Sequence, residues 1–451
     1  MRVIIVGDGK VGSTLAKQLS AEHHDIVVID RRASVLRDSM NTLDVIGIQG
    51  NGASYDVLME ADVAHADLVI AVTSTDELNI LCCMLARKMG ARHTIARVRN
   101  PEYAKQLFFL KEELGLSMYI NPERAAAMEI FRILQFPVAS RVDTFAKGRV
   151  ELVEFKVAAA SPLCGRPLSA LSRLYGVKVL VCAVQRHGAV SIPDGDFIFQ
   201  AEDKVHITAD HGELVRFFTA IGMLQQKIKN VMLIGGSRIA YYLAQQLSET
   251  GIHVKIIDND PQRCEHLCEI LPHATVIHGD GTDEEVLQEE GMEDMDAFVT
   301  LTGMDEENII VSMYAVSKGV KKVIAKVDRL SFLDVLNNAN LDSLISPKAI
   351  TANHIIRYVR AMQNSLGSSV ETLYKLVHDE VEALEFHASA SSRVIGVPLK
   401  DLRLKAGLLV ACIIRGESVM IPHGESTIEA DDHVLIVTSN RQLQDLNDIL
   451  Q

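Results

Sequence analysis

Short apolar runs alternate with longer amphipathic stretches over the first 120 residues of the chain. Between the first two runs, Val11, Leu15 and Leu19 recur at helical spacing, and a later amphipathic stretch ends at Gly90. Alternating strands and helices indicate a parallel sheet with helices on both faces. The runs that predict strands are residues 2–6, 25–30, 44–50, 68–73, 94–98 and, more weakly, 117–120.

Nearly the same pattern occurs a second time. VIIVGDGKVG begins at Val3, and VMLIGGSRIA begins 228 positions later, at Val231. The correspondence extends through Asp30 and Asp258, each of which ends an apolar run. A repeat at a fixed period determines the architecture. We therefore expect two copies of one Rossmann-like domain, called here the first and second Rossmann copies.

A different pattern follows each Rossmann copy. An amphipathic helix begins at Pro122 and ends before Pro137, with a counterpart from Pro347, and β-rich runs separated by Pro-Gly turns come next. These runs predict small α+β modules with antiparallel strands and one helix. The predicted fold class is α/β, with two doubly wound parallel-sheet domains each followed by a small α+β domain. The predicted boundaries of the four domains are 1–122, 140–224, 228–347 and 368–451.

Composition and charge narrow the classes of protein. The 451 residues are 48% hydrophobic, and we expect no membrane span because no uncharged run of 18 apolar residues occurs. We read the first residues as a strand and not as a signal peptide. Seven cysteines without a CxxC motif indicate a reducing cytoplasm. The net charge of −14, with no basic stripe, argues against nucleic-acid binding.

The best-defined chemical motif is a glycine loop between the first predicted strand and helix. Gly7 permits a tight turn, Gly9 lets the backbone approach a phosphate, and Gly12 allows close packing of the helix. Asp30 ends the next strand, where a carboxylate accepts hydrogen bonds from ribose hydroxyls. The motif predicts nucleotide binding. Asp30 disfavours NADP and leaves NAD, ATP or ADP, although Arg31-Arg32 could accommodate a 2′-phosphate.

The second loop departs from this motif. Ser237 and Ala240 replace the second and third glycines, whereas Gly235 and Asp258 remain. Arg238 could pair with a phosphate. The second Rossmann copy is therefore either a second nucleotide site or a structural copy that has lost its ligand.

Polar residues follow other predicted strands at the sheet edge where ligands of doubly wound folds bind. They are either ligand contacts or ordinary turn residues. Together with the two loops they form two candidate sets. The first set is Gly7, Asp8, Gly9, Lys10, Val11, Gly12, Asp30, Asn51, Thr73, Ser74 and Arg97. The second set is Gly235, Gly236, Ser237, Arg238, Ile239, Asp258, Asp280, Thr302 and Lys326.

The sequence contains little that indicates catalysis or metal binding. No GxSxG, HExxH or Walker A pattern is present. Cys264 and Cys268 flank His266 at helical spacing, which is more typical of packing than of a metal site. The acids Asp194, Asp196 and Asp203 of the first α+β module could bind a divalent ion, but are more typical of turns. We predict neither catalysis nor a bound metal.

The motifs together resemble a known family. GDGKVG with Asp30, GNGA at 50–53, AVTSTDELNI at 71–80, IARVRNPEY at 95–103 and the IPDG and IPHG turns are similar to those of the regulatory subunits of bacterial Trk potassium-uptake systems. The resemblance covers essentially the whole chain. Its Rossmann copies resemble the N domains, and its α+β modules the C domains, of regulators of potassium conductance (RCK domains).

The resemblance implies a function without catalysis. It implies a cytoplasmic gating subunit, peripheral on the inner face of the membrane, that forms a homo-oligomeric ring, a dimer or tetramer of the fused chain. Its partner would be a membrane-embedded, potassium-translocating subunit of Trk type, and its ligands NAD(H) and ATP or ADP. Two alternatives stay open: an NAD-dependent oxidoreductase, and an RCK regulator of another cation transporter.

Overall fold

The computed structural model describes residues 1–145, 148–224, 227–329, 341, 343–364, 370–375, 381–439, 443 and 445–451. The chain forms two compact units. The first unit comprises Met1–Ile130 and Asn230–Ile356, and so contains both Rossmann copies. The second comprises Phe131–Lys229 and Arg357–Gln451, which include both α+β modules. The predicted start of the last domain at residue 368 lies outside the described residues.

The first Rossmann copy is a six-stranded parallel sheet in the order β3-β2-β1-β4-β5-β6. This is the doubly wound order, whose direction reverses between β1 and β4. Its elements are β1 (Arg2–Val6), α1 (Lys10–Ala21), β2 (Asp25–Asp30), α2 (Ala33–Thr42), β3 (Ile46–Gln49), α3 (Tyr55–Glu60), β4 (Leu68–Ala71), α4 (Asp76–Lys88), β5 (His93–Arg97), α5 (Pro101–Leu110), β6 (Met118–Ile120) and α6 (Pro122–Gln135).

Local chemistry accounts for these helices. In α1 the predicted stripe of Val11, Leu15 and Leu19 is buried. Helix α4 carries acids in its first turn and Arg87 and Lys88 in its last, which suits the helix dipole. It is followed by Gly90 at φ +119°, a conformation that favours glycine. Helix α6 begins with a proline, whose missing N–H costs a helix nothing at that position.

The first α+β module belongs to the second unit. Its antiparallel sheet has the order β10-β9-β11-β8-β7. Its elements are β7 (Ala139–Phe145), β8 (Val150–Lys156), α7 (Leu171–Tyr175), β9 (Leu180–Arg186), β10 (Ala189–Ser191), β11 (Lys204–Ala209) and α8 (His211–Ala220).

The second Rossmann copy repeats the first, with the sheet order β14-β13-β12-β15-β16-β17. The duplication and fold class predicted from the sequence are confirmed. Its elements are β12 (Asn230–Ile234), α9 (Arg238–Glu249), β13 (His253–Asp258), α10 (Pro261–Ile270), β14 (Ala274–His278), α11 (Glu284–Glu289), β15 (Ala297–Thr300), α12 (Asp305–Ser317), β16 (Lys322–Lys326), β17 (Leu344–Ile345) and α13 (Pro347–Asn364).

The second α+β module has the equivalent strand order, β18-β19-β22-β20-β21. Apolar residues from both modules form one buried cluster in the second unit, including Phe145, Cys182, Ala383, Cys412 and Leu435. The two modules therefore share a core. The strands are β18 (Val370–Lys375), β19 (Glu382–His387), β20 (Leu408–Arg415), β21 (Ser418–Met420) and β22 (His433–Thr438).

Two features of the α+β modules differ from the prediction. Strand β7 was missed because a bulge between Ala139 and Arg141 interrupts the period-two pattern of its apolar residues. The expected single helix is wrong for the first module, which contains both α7 and α8. Helix α7 has five residues, too few for a helical period to show in the sequence.

Candidate functional site

The carboxyl-end loops of both Rossmann sheets line one cleft of about 1700 Å³ in the first unit. Ligands of doubly wound folds bind outside the carboxyl ends of the strands, where the strand order reverses. That point lies between β1 and β4 in the first copy and between β12 and β15 in the second. The cleft therefore places most residues of the two candidate sets in one space.

The first glycine loop, residues 7–10, joins β1 to α1. Gly7 has φ +101°, and a Cβ on it would lie 3.0 Å from backbone atoms of Val72 and Thr73. A Cβ on Gly12 would lie 1.9 Å from the carbonyl oxygen of Gly7, so Gly12 allows α1 to approach the loop. Gly9 is different, because a Cβ there would meet no protein atom within 4 Å. Its space is open toward the cleft.

Asp30, at the end of β2, fixes this loop. Its carboxylate accepts a 2.8 Å hydrogen bond from the amide of Asp8 and one of 2.9 Å from the amide of Arg32. The Arg32 side chain also pairs with it at 3.2 Å. Burial raises the pKa of Asp30, but the hydrogen bonds from Arg32 and Asp8 outweigh this, and the pKa lies below its ordinary value. Asp30 is therefore a carboxylate at neutral pH.

A buried amide joins the ends of β4 and β5. The Asn79 side chain accepts hydrogen bonds from the Thr73 amide and hydroxyl and donates one to the carbonyl of Arg97. The Arg97 guanidinium donates to the carbonyl of Thr73. Burial and the charge of Arg99 lower the pKa of Arg97, against the opposing effect of Glu123 and Asp76. A hydrogen bond to the backbone thus holds the Arg97 guanidinium at the edge of the cleft.

The second Rossmann copy repeats these arrangements. The Asp258 carboxylate accepts from the amide of Gly236 at 2.6 Å and pairs with Arg263 at 3.0 Å. The Asn308 amide donates to the carbonyl of Lys326, and the Lys326 amine donates to the carbonyl of Thr302. The edge of the second sheet is therefore built like that of the first.

The two copies contact one another through the starts of α6 and α13. The Asn121 side chain, just before α6, donates a 2.9 Å hydrogen bond to the hydroxyl of Tyr242 on α9. On the other side of the repeat, Lys348 in the first turn of α13 approaches Lys10 at the start of α1. Burial and the charge of Lys10 lower the pKa of Lys348, against the opposing effect of Asp328. Each helix start thus lies near the helix that follows the glycine loop of the other copy.

The cleft brings together most of the candidate residues. Two do not line it: Asp8, whose carboxylate accepts a 2.7 Å hydrogen bond from Ser39, and Gly12, which lies under the loop. The predicted residues that line it are Gly7, Gly9, Lys10, Val11, Asp30, Asn51, Thr73, Ser74 and Arg97 from the first set, and all nine of the second.

Known proteins match the chain over its whole length. The TrkA-N domain matches residues 3–122 and 231–347, and the TrkA-C domain matches residues 152–222 and 384–451. The Trk system potassium uptake protein TrkA of Vibrio alginolyticus is 34% identical over 446 residues, covering 98% of this chain and 96% of its own. The protein of that name from Halomonas elongata is 33% identical over 455 residues, covering 100% and 99%.

The chain belongs to the TrkA family of Trk system potassium uptake proteins. A solved structure of the same fold is the GsuK channel bound to NAD, with a TM-score of 0.63 and 17% identity over 98% of this chain and 77% of that chain. The resemblance drawn from the sequence motifs is confirmed.

Two pairs of buried side chains in this TrkA-family chain were not singled out from the sequence. Asn79 and Asn308 are fully buried, and the Asp76 and Asp305 carboxylates accept backbone amides beyond β5 and β16, including those of Arg99 and Arg329. All four residues lie in the repeated segments TSTDELN and TGMDEEN. Their repetition was the available signal, since four of the seven positions, Thr, Asp, Glu and Asn, are identical in the two segments and the other three change.

The metal interpretations find no geometric support. No cluster of three or more histidine, cysteine, aspartate or glutamate side chains suited to a metal occurs within the described ranges. Asp203 is instead held by a bidentate ion pair with Arg186, both distances being 2.7 Å. The turn at Asp194 is closed by a hydrogen bond from the Asp196 amide. Among the described residues, no helix is long and apolar enough to cross a membrane.

Proposed function

We propose that this chain is the nucleotide-binding regulatory subunit of a Trk-type potassium uptake system. It binds NAD(H) or ATP/ADP in the first Rossmann copy, and the bound nucleotide controls a membrane-embedded potassium-translocating partner. The names of the TrkA relatives support the transport system. The GsuK channel, which shares the fold and was solved bound to NAD, supports the ligand class.

The observation that carries the proposal is the open space at Gly9. The start of α1 has no side-chain cap, so the first amides of the helix are available to a ligand, and there is no Cβ at residue 9 to keep a phosphate away from them. A helix N-terminus of this kind favours anions through its N–H groups and its dipole. Lys10 and Arg97 add cations at the same edge.

Asp30 supplies the second half of the ligand site. Its side chain is 10% exposed, and its pairing partner Arg32 is 61% exposed, so the arginine can move away without opening the core. Ribose hydroxyls would then take the place of the Arg32 donors on the carboxylate. A 2′-phosphate would face the same carboxylate and be repelled, unless Arg32 turned to meet it.

A bound nucleotide would act on the membrane partner by shifting the chain between two conformations. A nucleotide that makes different contacts in two conformations shifts their populations. We propose that the chain assembles into a homo-oligomeric ring on the cytoplasmic face of the membrane and that the ring moves the gate of its partner. Each four-domain chain would contribute two fused RCK units to the ring.

We also propose that the chain is not an enzyme. The rival function, an NAD-dependent oxidoreductase, requires substrate-dependent oxidation of NADH. A regulator leaves bound NADH unchanged, and its absorbance stays constant in the presence of candidate substrates.

The test is calorimetric titration of the full chain with ATP, ADP, NADH and NADPH. We expect ATP or NADH to bind, NADPH to bind more weakly, and Asp30→Ala to abolish binding. Asp67→Ala, at an acid that does not line the cleft, is the control. In cells that lack their own system, potassium uptake should require this chain and the Trk-type partner together. Absence of binding by all four nucleotides would refute the proposal.

A further inference from the structure

Two ion pairs occupy equivalent positions in the Rossmann copies with their charges exchanged. In the first copy Arg99, two residues beyond β5, pairs with Glu123 on α6 at 2.6 Å. In the second copy Asp328, two residues beyond β16, pairs with Lys348 on α13 at 3.3 Å. The flanking residues are alike, because both Glu123 and Lys348 follow the proline that starts their helix.

The helix residue of each pair lies on the side of its own copy that contacts the other copy. Lys348 is 16% exposed and lies beside Lys10 of the first loop. Glu123 lies two residues after Asn121, which is hydrogen-bonded to Tyr242 on α9 behind the second loop. Both Glu123 and Lys348 line the cleft. A lysine from the second copy therefore lies beside the first loop, and a glutamate from the first copy lies in the same cleft, near the start of α9 that follows the second loop.

The burial of Glu123 determines how a phosphate would interact with it. Glu123 is 7% exposed, and its Oε2 has no hydrogen-bond partner in the described part of the chain. A phosphate brought next to this oxygen would add a second anion where the charge is poorly solvated. At the first loop the reverse holds, because the phosphate would come between the amines of Lys10 and Lys348 and relieve their repulsion.

We propose that Lys348 is a phosphate ligand of the first nucleotide site, contributed by the second Rossmann copy, and that Glu123 excludes phosphates from the equivalent place at the second loop. The inference rests on the proposed nucleotide-binding function and adds its stoichiometry. One chain binds one phosphate-rich nucleotide, and that nucleotide bridges the two copies. Ser237, which replaces Gly9 in the second loop, acts in the same direction because it adds a Cβ at the position that has none in the first loop.

The test is calorimetric titration of the full chain with ATP, comparing affinity and stoichiometry. The wild-type chain should bind one ATP. Lys348→Gln should weaken binding on the order of tenfold, the usual scale for one charge-assisted contact. Lys17→Gln is the matched control, because it removes a lysine from the exposed face of α1, outside the cleft, with the same change in net charge.

Glu123→Gln and Glu123→Lys test the excluded site. Glutamine keeps an oxygen for Arg99 while removing the charge, so it separates loss of the ion pair from loss of the anion. Glu123→Lys should introduce a second binding event, which Arg238→Ala then removes. Circular dichroism checks that each variant is folded.

The outcomes separate this inference from the function on which it rests. Failure of the wild-type chain to bind ATP or any other nucleotide would overturn the proposed function. Binding of one ATP with equal affinity in wild type, Lys348→Gln and Lys17→Gln would overturn only the role of Lys348. Two equivalent ATP sites in the wild-type chain would overturn the role of Glu123.

Discussion

The amide of Asp8 donates a 2.8 Å hydrogen bond to the carboxylate of Asp30, so the acid that would meet a ribose also holds the phosphate loop in place. The second copy repeats the bond between Gly236 and Asp258 at 2.6 Å. Asp8 brings a second carboxyl group to this point, 1% exposed and bonded to Ser39. The first loop therefore contains two acids in close proximity, and the second loop only one.

The first prediction concerns pH and Asp8. Burial raises the pKa of Asp8, and the charge of Asp30 raises it further, against the hydrogen bond from Ser39. Its contribution to stability is then full below about pH 4, the unfolded value, and is lost as the pH rises through the folded pKa. Asparagine does not ionise, so Asp8→Asn does not lose stability in this way as the pH rises. We expect its unfolding temperature at pH 7 to exceed that of wild type by on the order of 2 °C.

The measurement is thermal unfolding of both proteins between pH 4 and pH 8. The difference should shrink toward pH 4, where Asp8 becomes protonated in the wild-type chain. Asp25→Asn, at an exposed acid that starts β2, is the control and should show no such pattern. A difference that is constant over this range would contradict the assignment to Asp8.

Gly9→Ala separates folding from binding. A Cβ at Gly9 meets no protein atom within 4 Å, and its φ of −83° is ordinary for alanine. The cost to stability should be about 0.5 kcal/mol, the difference between glycine and alanine at a helix N-cap. The same methyl group stands where a phosphate would approach, so nucleotide affinity should fall on the order of tenfold or more. Unfolding and calorimetric titration on one preparation measure both effects, and unchanged affinity would remove the phosphate from this loop.

Gly12→Ala should mainly lower the stability of the fold, whereas Gly9→Ala should mainly lower nucleotide affinity. A Cβ there would lie 1.9 Å from the Gly7 carbonyl oxygen, so α1 or the loop must move, at a cost of about 1–3 kcal/mol. The reference is Ala240→Gly, because the second copy already accommodates a buried Cβ at this position. That change should cost only about 1 kcal/mol, through the greater freedom of glycine in the unfolded chain. Equal losses in a thermal unfolding comparison would show that the two loops pack alike.

Sequence patterns predicted the parts of the site that lie close together along the chain. The glycine loop, Asp30 and the strand ends follow from local spacing and from the fixed geometry of a doubly wound sheet. The proximity of Lys10 and Lys348 could not be predicted in that way, because it depends on how two repeats pack. The pairing of Asp30 with Arg32 was also missed, since an arginine that begins a helix is ordinarily solvated. Strand β7 was hidden by its bulge.

The last prediction concerns the ion pair of Arg186 with Asp203 in the second unit. Asp203 is fully buried, and it accepts both guanidinium bonds at 2.7 Å and the Gln200 amide at 2.8 Å. The second α+β module repeats the pair with Arg415 and Asp432. Asp203→Ala removes the carboxylate that accepts these bonds, but the Arg186 side chain is 29% exposed and can turn to water, so the cost should be about 1–3 kcal/mol. Hydrogen exchange of β9 and β11 amides in the full chain measures the local loss.

The pH dependence of that loss identifies its source. Burial raises the pKa of Asp203, but the Arg186 bonds and the Gln200 amide outweigh it, and the pKa lies below its ordinary value. The stabilisation is therefore present above about pH 4 and is lost as the pH falls through the folded pKa. Wild type and Asp203→Ala should converge in acid. Asp196→Ala, at an exposed acid of a nearby turn whose side chain takes no part in the pair, should match wild type throughout. A loss that persists undiminished in acid would point to packing around the aspartate instead of its charge.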